Sequence, residues 1–130
     1  MVIATSAQLR LPLDHSAPAI ARHGAKPVLM NWGFIDEHWL GDAAVVISEL
    51  VSNAIIHADG CVELSLELRR GRVWIGAADR SSAVPRRRAA TVDGGHGLAI
   101  IADLTVQLHV QRYHRGKRVW AVLRPCPVAD

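Results

Sequence analysis

Glu49-Leu50-Val51-Ser52-Asn53-Ala54-Ile55-Ile56-His57-Ala58 sets a carboxylate and a carboxamide into an otherwise apolar segment. From Ala43 to Ala58, Val46, Leu50, Asn53 and Ile56/His57 recur at three and four residues, which predicts a helix. Glu49, Asn53 and His57 are four apart and stack on one side of it. Asp59-Gly60 stops the helix. Beyond it the period changes to two. Val62, Leu64, Leu66 and Leu68 share a face, with Glu63, Ser65 and Glu67 opposite. Arg70-Gly71 makes a tight turn, and Val73, Ile75 and Ala77 continue the apolar face, with Asp79 in the same phase.

The other elements follow from this centre. Ala7 to Leu13 alternates weakly and ends at Pro12, as a short first strand does. Asp14 or Ser16 can cap a helix running towards Trp32, with Pro18 in its first turn; Gly24 and Pro27 predict a kink or break near Lys26. Gly33 ends that element. Asp36 opens the next, and Gly41-Asp42 offers a second start. On the far side, Arg80 to Gly95 has no period and reads as a long loop, the kind that is usually functional or mobile in a compact domain. Leu98 to Leu104 reads as a short helix. Val106, Leu108 and Val110 give a third strand of the hairpin sheet, and Val119, Ala121 and Leu123 a fourth, joined through Arg115-Gly116. The expected fold class is α+β, a two-layer sandwich of a mostly antiparallel sheet with helices packed on one face. One domain is expected over residues 1–130, with short tails at 1–6 and 125–130.

Three features carry chemistry. Glu49 and Asn53 need polar partners if their helix is buried, and a magnesium ion with a phosphate would supply them. A solvated stripe on an amphipathic helix has the same spacing. Asp79, among apolar neighbours at a strand end, can accept a hydrogen bond from an exocyclic amine such as that of adenine, or be an ordinary turn aspartate. Asp93-Gly94-Gly95-His96-Gly97-Leu98 opens a helix, where glycines let backbone N–H groups approach a phosphate. It is neither a P-loop, since no Gly-Lys-Ser/Thr follows, nor a dinucleotide fingerprint, since no strand immediately precedes it.

The order of these features resembles the gyrase–chaperone–histidine-kinase ATPase superfamily. Ser48 to Ala58 and the closing Gly116-Lys117-Arg118-Val119-Trp120-Ala121 resemble the anti-sigma factor serine/threonine kinases and their small actinobacterial relatives. The resemblance covers roughly Leu9 to Leu123. It implies a Bergerat-type ATP-binding fold with ATP and Mg2+ as cofactors. It implies Asn53 as the magnesium ligand, Glu49 as the catalytic base, Asp79 as the acceptor for the adenine amine, and Gly95, His96, Gly97 and Leu98 around the phosphates. Arg80 to Gly94 would be the lid. The function it implies is transfer of the ATP γ-phosphate to a serine of an antagonist protein, sequestration of a sigma factor, or both. The partners would be a sigma factor and an anti-sigma factor antagonist protein, and members of the family often form a homodimer.

Two departures motivate a second reading. The family's adenine box usually carries glycine two residues after the aspartate, where this chain has Ser81. Relatives usually place a hydroxyl residue in the last strand near the adenine, where this chain has Lys117 and Arg118. A non-catalytic interaction module that keeps the fold is the alternative.

Composition narrows the rest. Half of the 130 residues are apolar, enough for a packed core and too many for a disordered chain. The apolar runs are broken by Glu, Asn or His, so no membrane span is expected. Met1 to Arg10 does not read as a secretory signal, and a cytoplasmic protein is expected. Cys61 and Cys126 form neither a disulfide framework nor a CxxC pair. The net charge of +3 is weak support for nucleic acid, and no basic–aromatic alternation adds to it. Arg86, Arg87 and Arg88 read as a solvated loop, an acidic-partner surface or lid charges. Period two places Lys117 on the core side with Val119. It places Trp74 and Trp120 on the opposite face, as a partner surface or under the N-terminal segment.

Overall fold

Strand pairing, not helix packing, organises the chain. The computed structural model describes residues 5–58, 61–80, 100–113 and 116–127. The elements run β1 (Ser6–Leu11), α1 (Ala17–Asn31), α2 (Glu37–His57), β2 (Cys61–Arg69), β3 (Arg72–Arg80), β4 (Thr105–Tyr113) and β5 (Gly116–Leu123). Residues 100–104 are helical and lead into β4. All pairings are antiparallel, in the order β1-β2-β3-β5-β4. The α+β two-layer sandwich expected from the sequence is present.

The period-two reading of the hairpin holds residue by residue. Val62, Leu64, Leu66, Val73, Ile75 and Ala77 are buried in one core with Val46, Ile47, Leu50, Val51 and Ala54 of α2. Arg70 takes a positive φ of 50° and Gly71 one of 78°, the left-handed pair that a two-residue hairpin turn demands. By length and composition residues 37–56 are apolar enough to cross a bilayer. Here Ala43, Val46, Ile47, Leu50, Val51 and Ala54 form a stripe buried in the core, as on the central helix of a sandwich.

Helix α1 corrects one expectation. Pro27 lies inside it and no break occurs near Lys26. An internal proline removes one backbone bond and costs about 3 kcal/mol. Burial of Ala21, Ala25 and Leu29 on either side of it offsets that cost. Gly24 is not a break either. A Cβ there would stand 2.8 Å from Leu9 Cδ2, so this glycine lets α1 lie close on β1. At its start, Ser16 holds the N-cap position without a side-chain cap bond. Asp14 instead accepts hydrogen bonds from the Ser16 hydroxyl and backbone N–H, which hold its carboxyl below the usual carboxylate range.

Helix α2 is continuous from one start, so Gly41-Asp42 begins nothing. Asp36 is its N-cap and accepts from Trp39 N–H at 2.8 Å. The strand expected through Val106, Leu108 and Val110 is β4. A register shift between Thr105 and Gln107 leaves Val106 out of the ladder and exposed, while Thr105 is buried and its Oγ1 donates to Ile101 O at 2.8 Å.

The face without helices is not a row of exposed tryptophans. Trp120 is only 7 % exposed. It lies across Gly76, where a Cβ would come within 2.7 Å of its ring. Trp74 stacks on His109 at 5.4 Å and meets Trp120 edge-on at 6.3 Å. The Arg69 guanidinium covers both indoles, at 4.4 Å and 5.3 Å. Strand β1 lies beside β2 as an edge strand, not over these rings.

Candidate functional site

Asp79 sits near the end of β3 and belongs to a row that crosses the sheet: Val62, Asp79, Lys117 and Arg112. The row has the phase of Ile75 and Val119, so it faces the helix layer, as the sequence predicts for Asp79 and Lys117. Asp79 is only 4 % exposed. Its Oδ1 accepts from Lys117 N–H at 3.4 Å, a long bond. Neither ion pair among the described residues involves it: Arg69–Glu67 and Arg118–Glu63 both use side chains of the opposite face. A carboxylate this deeply buried, with one weak partner among the described residues, costs free energy unless a further donor reaches it.

Helix α2 delivers the other two groups. Its buried stripe centres on Val46, Leu50 and Ala54. On one flank Ser48 accepts from Arg22 of α1 at 2.7 Å, which marks the side where α1 lies. At 100° per residue, Glu49 and Asn53 fall on the other flank. Helix α1 packs over β1, and α2 over β3, β2 and β5. The flank with Glu49 and Asn53 is therefore turned towards the β5–β4 side of the sheet. Both residues are half-buried and make no side-chain hydrogen bond or ion pair among the described residues. Val62 follows α2 by a few residues and pairs with Asp79, so the C-terminal half of α2 and Asp79 lie at the same end of the domain.

The fold thus brings Glu49, Asn53 and Asp79 to one end of the sandwich. Gly95, His96, Gly97 and Leu98 lie outside the described residues, as do Ser81 and the arginine run 86–88. Among the described residues no three His, Cys, Asp or Glu side chains cluster to hold a metal. A single carboxamide oxygen is still a fitting magnesium ligand, because that ion keeps waters and phosphate oxygens in its shell.

The sequence pattern of the histidine kinase-like ATPase domain matches residues 11–123. The chain belongs to that family. Its fold is shared by a chain in the crystal structure of the SiaB–SiaC complex from Pseudomonas aeruginosa, with a TM-score of 0.64 over 90 % of this chain and 89 % of that one. The two are 13 % identical, a likeness of fold. No curated protein matches by sequence.

A histidine kinase-like ATPase domain is an ATP-binding domain, and the needs of the side chains at this end fit such a ligand. Among the described residues the buried Asp79 carboxylate has only one long bond from a donor, and an exocyclic amine is a donor. Glu49 and Asn53 are half-buried polar groups without side-chain partners among the described residues. The structure also adds residues that sequence analysis did not single out. Arg112 joins the row through its pairing with Lys117. Its phase with Val110 was a signal available in the sequence. The Tyr113 hydroxyl donates to Asp79 O at 3.4 Å and to Lys117 O at 3.3 Å, and nothing in the sequence pointed to it.

Proposed function

We propose that this ATPase domain is a regulatory protein of the anti-sigma factor kinase type, which moves the γ-phosphate of ATP to a serine of an antagonist protein, sequesters a sigma factor, or does both. The observation that carries the reading is the buried Asp79 carboxylate with a single 3.4 Å bond among the described residues, at the end of the sheet where Glu49 and Asn53 also stand without partners among them. In this reading Asp79 accepts the adenine amine, Asn53 holds magnesium, and Glu49 takes the proton of the attacking serine hydroxyl. ATP supplies the transferable phosphoryl group with magnesium as its counter-charge. Positioning and charge neutralisation are most of what such a transfer needs from a protein.

The test is titration with ATP and magnesium, then phosphotransfer to antagonist proteins encoded nearby. Glu49→Ala is expected to lower transfer by about a hundredfold or more while sparing nucleotide binding, and Asn53→Ala to weaken both. Normal phosphorylation by the Glu49→Ala protein removes the base assignment.

Lys117 beside Asp79, where relatives place a hydroxyl residue, favours a second reading: an interaction module that keeps the fold. No binding heat at sub-millimolar ATP or ADP would select it.

A further inference from the structure

The far side of Asp79 is built unusually tightly. Strand β5 begins at Gly116, opposite Arg80, and a Cβ on Gly116 would stand 2.1 Å from Asp79 O and 3.3 Å from Asp79 Oδ1. No side chain can occupy that space, and the obstacle is mostly backbone, which cannot swing away. The next residue donates its N–H to Asp79 Oδ1. The residue paired with Gly116 across β4–β5, Tyr113, places its hydroxyl between Asp79 O and Lys117 O. Three consecutive contacts from the closed end of one hairpin therefore bear on a single residue of another strand. Two hold the peptide oxygen side and one holds the carboxylate.

We propose that the closed end of the β4–β5 hairpin, through Gly116, Tyr113 and the Lys117 backbone, is the positioning element that aims the Asp79 carboxylate, and that base selection at the nucleotide site depends on it. The proposal rests on the ATP reading above. The Lys117 backbone offers the carboxylate an N–H at 3.4 Å, from a strand whose place beside β3 is set by the β3–β5 ladder. The register demands that Gly116 be glycine. Any larger residue pushes β5 from β3 at the one point where the carboxylate is oriented. Gly116, the Tyr113 hydroxyl and the Lys117 backbone act on Asp79, so they are positioning residues.

The experiment compares ATP with inosine triphosphate, whose base carries a carbonyl oxygen where adenine carries the amine, by calorimetry with magnesium. A hydrogen bond to a charged acceptor gives about tenfold to a hundredfold preference for ATP in the unaltered protein. Gly116→Ala is expected to shrink that preference to within about threefold by weakening ATP alone, with inosine triphosphate binding unchanged, because only the amine of adenine depends on the aim of the carboxylate. General unfolding would weaken both nucleotides together. Tyr113→Phe, which deletes only the hydroxyl, should shift the ratio the same way by a smaller factor, and keeps the test alive should Gly116→Ala fail to fold. Amide hydrogen exchange of Lys117 N–H in the nucleotide-free protein is the independent readout, expected to quicken in both variants. An unchanged ATP preference in a folded variant overturns the proposal, and so does unchanged exchange at Lys117. If the unaltered protein shows no preference for ATP, the adenine role of Asp79 fails, and base selection by the hairpin fails with it. Quickened exchange would then show that the contact itself is real.

Discussion

The two faces of the sheet obey the same alternation and end differently. Towards the helices, Val62, Leu64, Ile75 and Ala77 vanish into one core, and the polar members of that face, Asp79 and Lys117, are gathered at one end. On the opposite face polar groups find partners nearby. Glu67 pairs with Arg69 at 2.5 Å, Glu63 with Arg118 at 3.4 Å, and Trp120 Nε1 donates to Gln111 at 3.3 Å. The exceptions there are single atoms, Ser65 Oγ and Arg118 Nε, which are buried without partners among the described residues. Polar groups with few or no partners among the described residues, gathered at one place on the face that covers the core, make a candidate site; polar groups paired with their neighbours make a surface.

The largest break in that comparison comes from the core face. Ile75→Ala removes a fully buried side chain between α2 and the sheet and should cost about 2–5 kcal/mol in chemical denaturation. One residue along, on the other face, Gly76→Ala drives a methyl into the Trp120 ring. Trp120 must give way, so the loss should be smaller, about 1–3 kcal/mol, with a change in tryptophan fluorescence that Ile75→Ala does not produce in the folded state. The smallest effect belongs to the ion pair of the same face. The Arg69 side chain is about half exposed, and a double-mutant cycle with Glu67 should give a coupling below about 1 kcal/mol that fades with salt. Arg69→Ala alone should cost more than this coupling, because its guanidinium also covers Trp74 and Trp120. If Gly76→Ala cost as much as Ile75→Ala, the opposite face would be a second core, and the contrast drawn here would disappear.

Much of this could be read from residue order. Alternation in Val62 to Asp79 placed every core side chain of the hairpin and put Asp79 and Lys117 on the helix side, because a strand's side chains have no choice of face once one of them is fixed. Asp36 was legible as a helix start because short polar side chains satisfy the first free N–H groups. Of the kink or break expected near Lys26, the break does not occur, because local preference is weaker than burial of Ala21, Ala25 and Leu29. The strand through Val106, Leu108 and Val110 was legible, while the bulge that shifts its phase was not, since a one-residue slip has no mark in a short apolar run.

By itself the sequence determined the alternation of the strands, the polar pair Glu49 and Asn53 on the central helix, and the order of the boxes that marks an ATP-binding domain, since each is a matter of period and spacing along one chain. Tertiary structure alone decided which glycines are closely approached, why Trp120 is buried, and what contacts Asp79. Gly24, Gly76 and Gly116 each leave room for a group from another element: Leu9, Trp120 and the Asp79 backbone. Such close approaches depend on register and layer spacing between segments far apart in the chain, which no local pattern encodes.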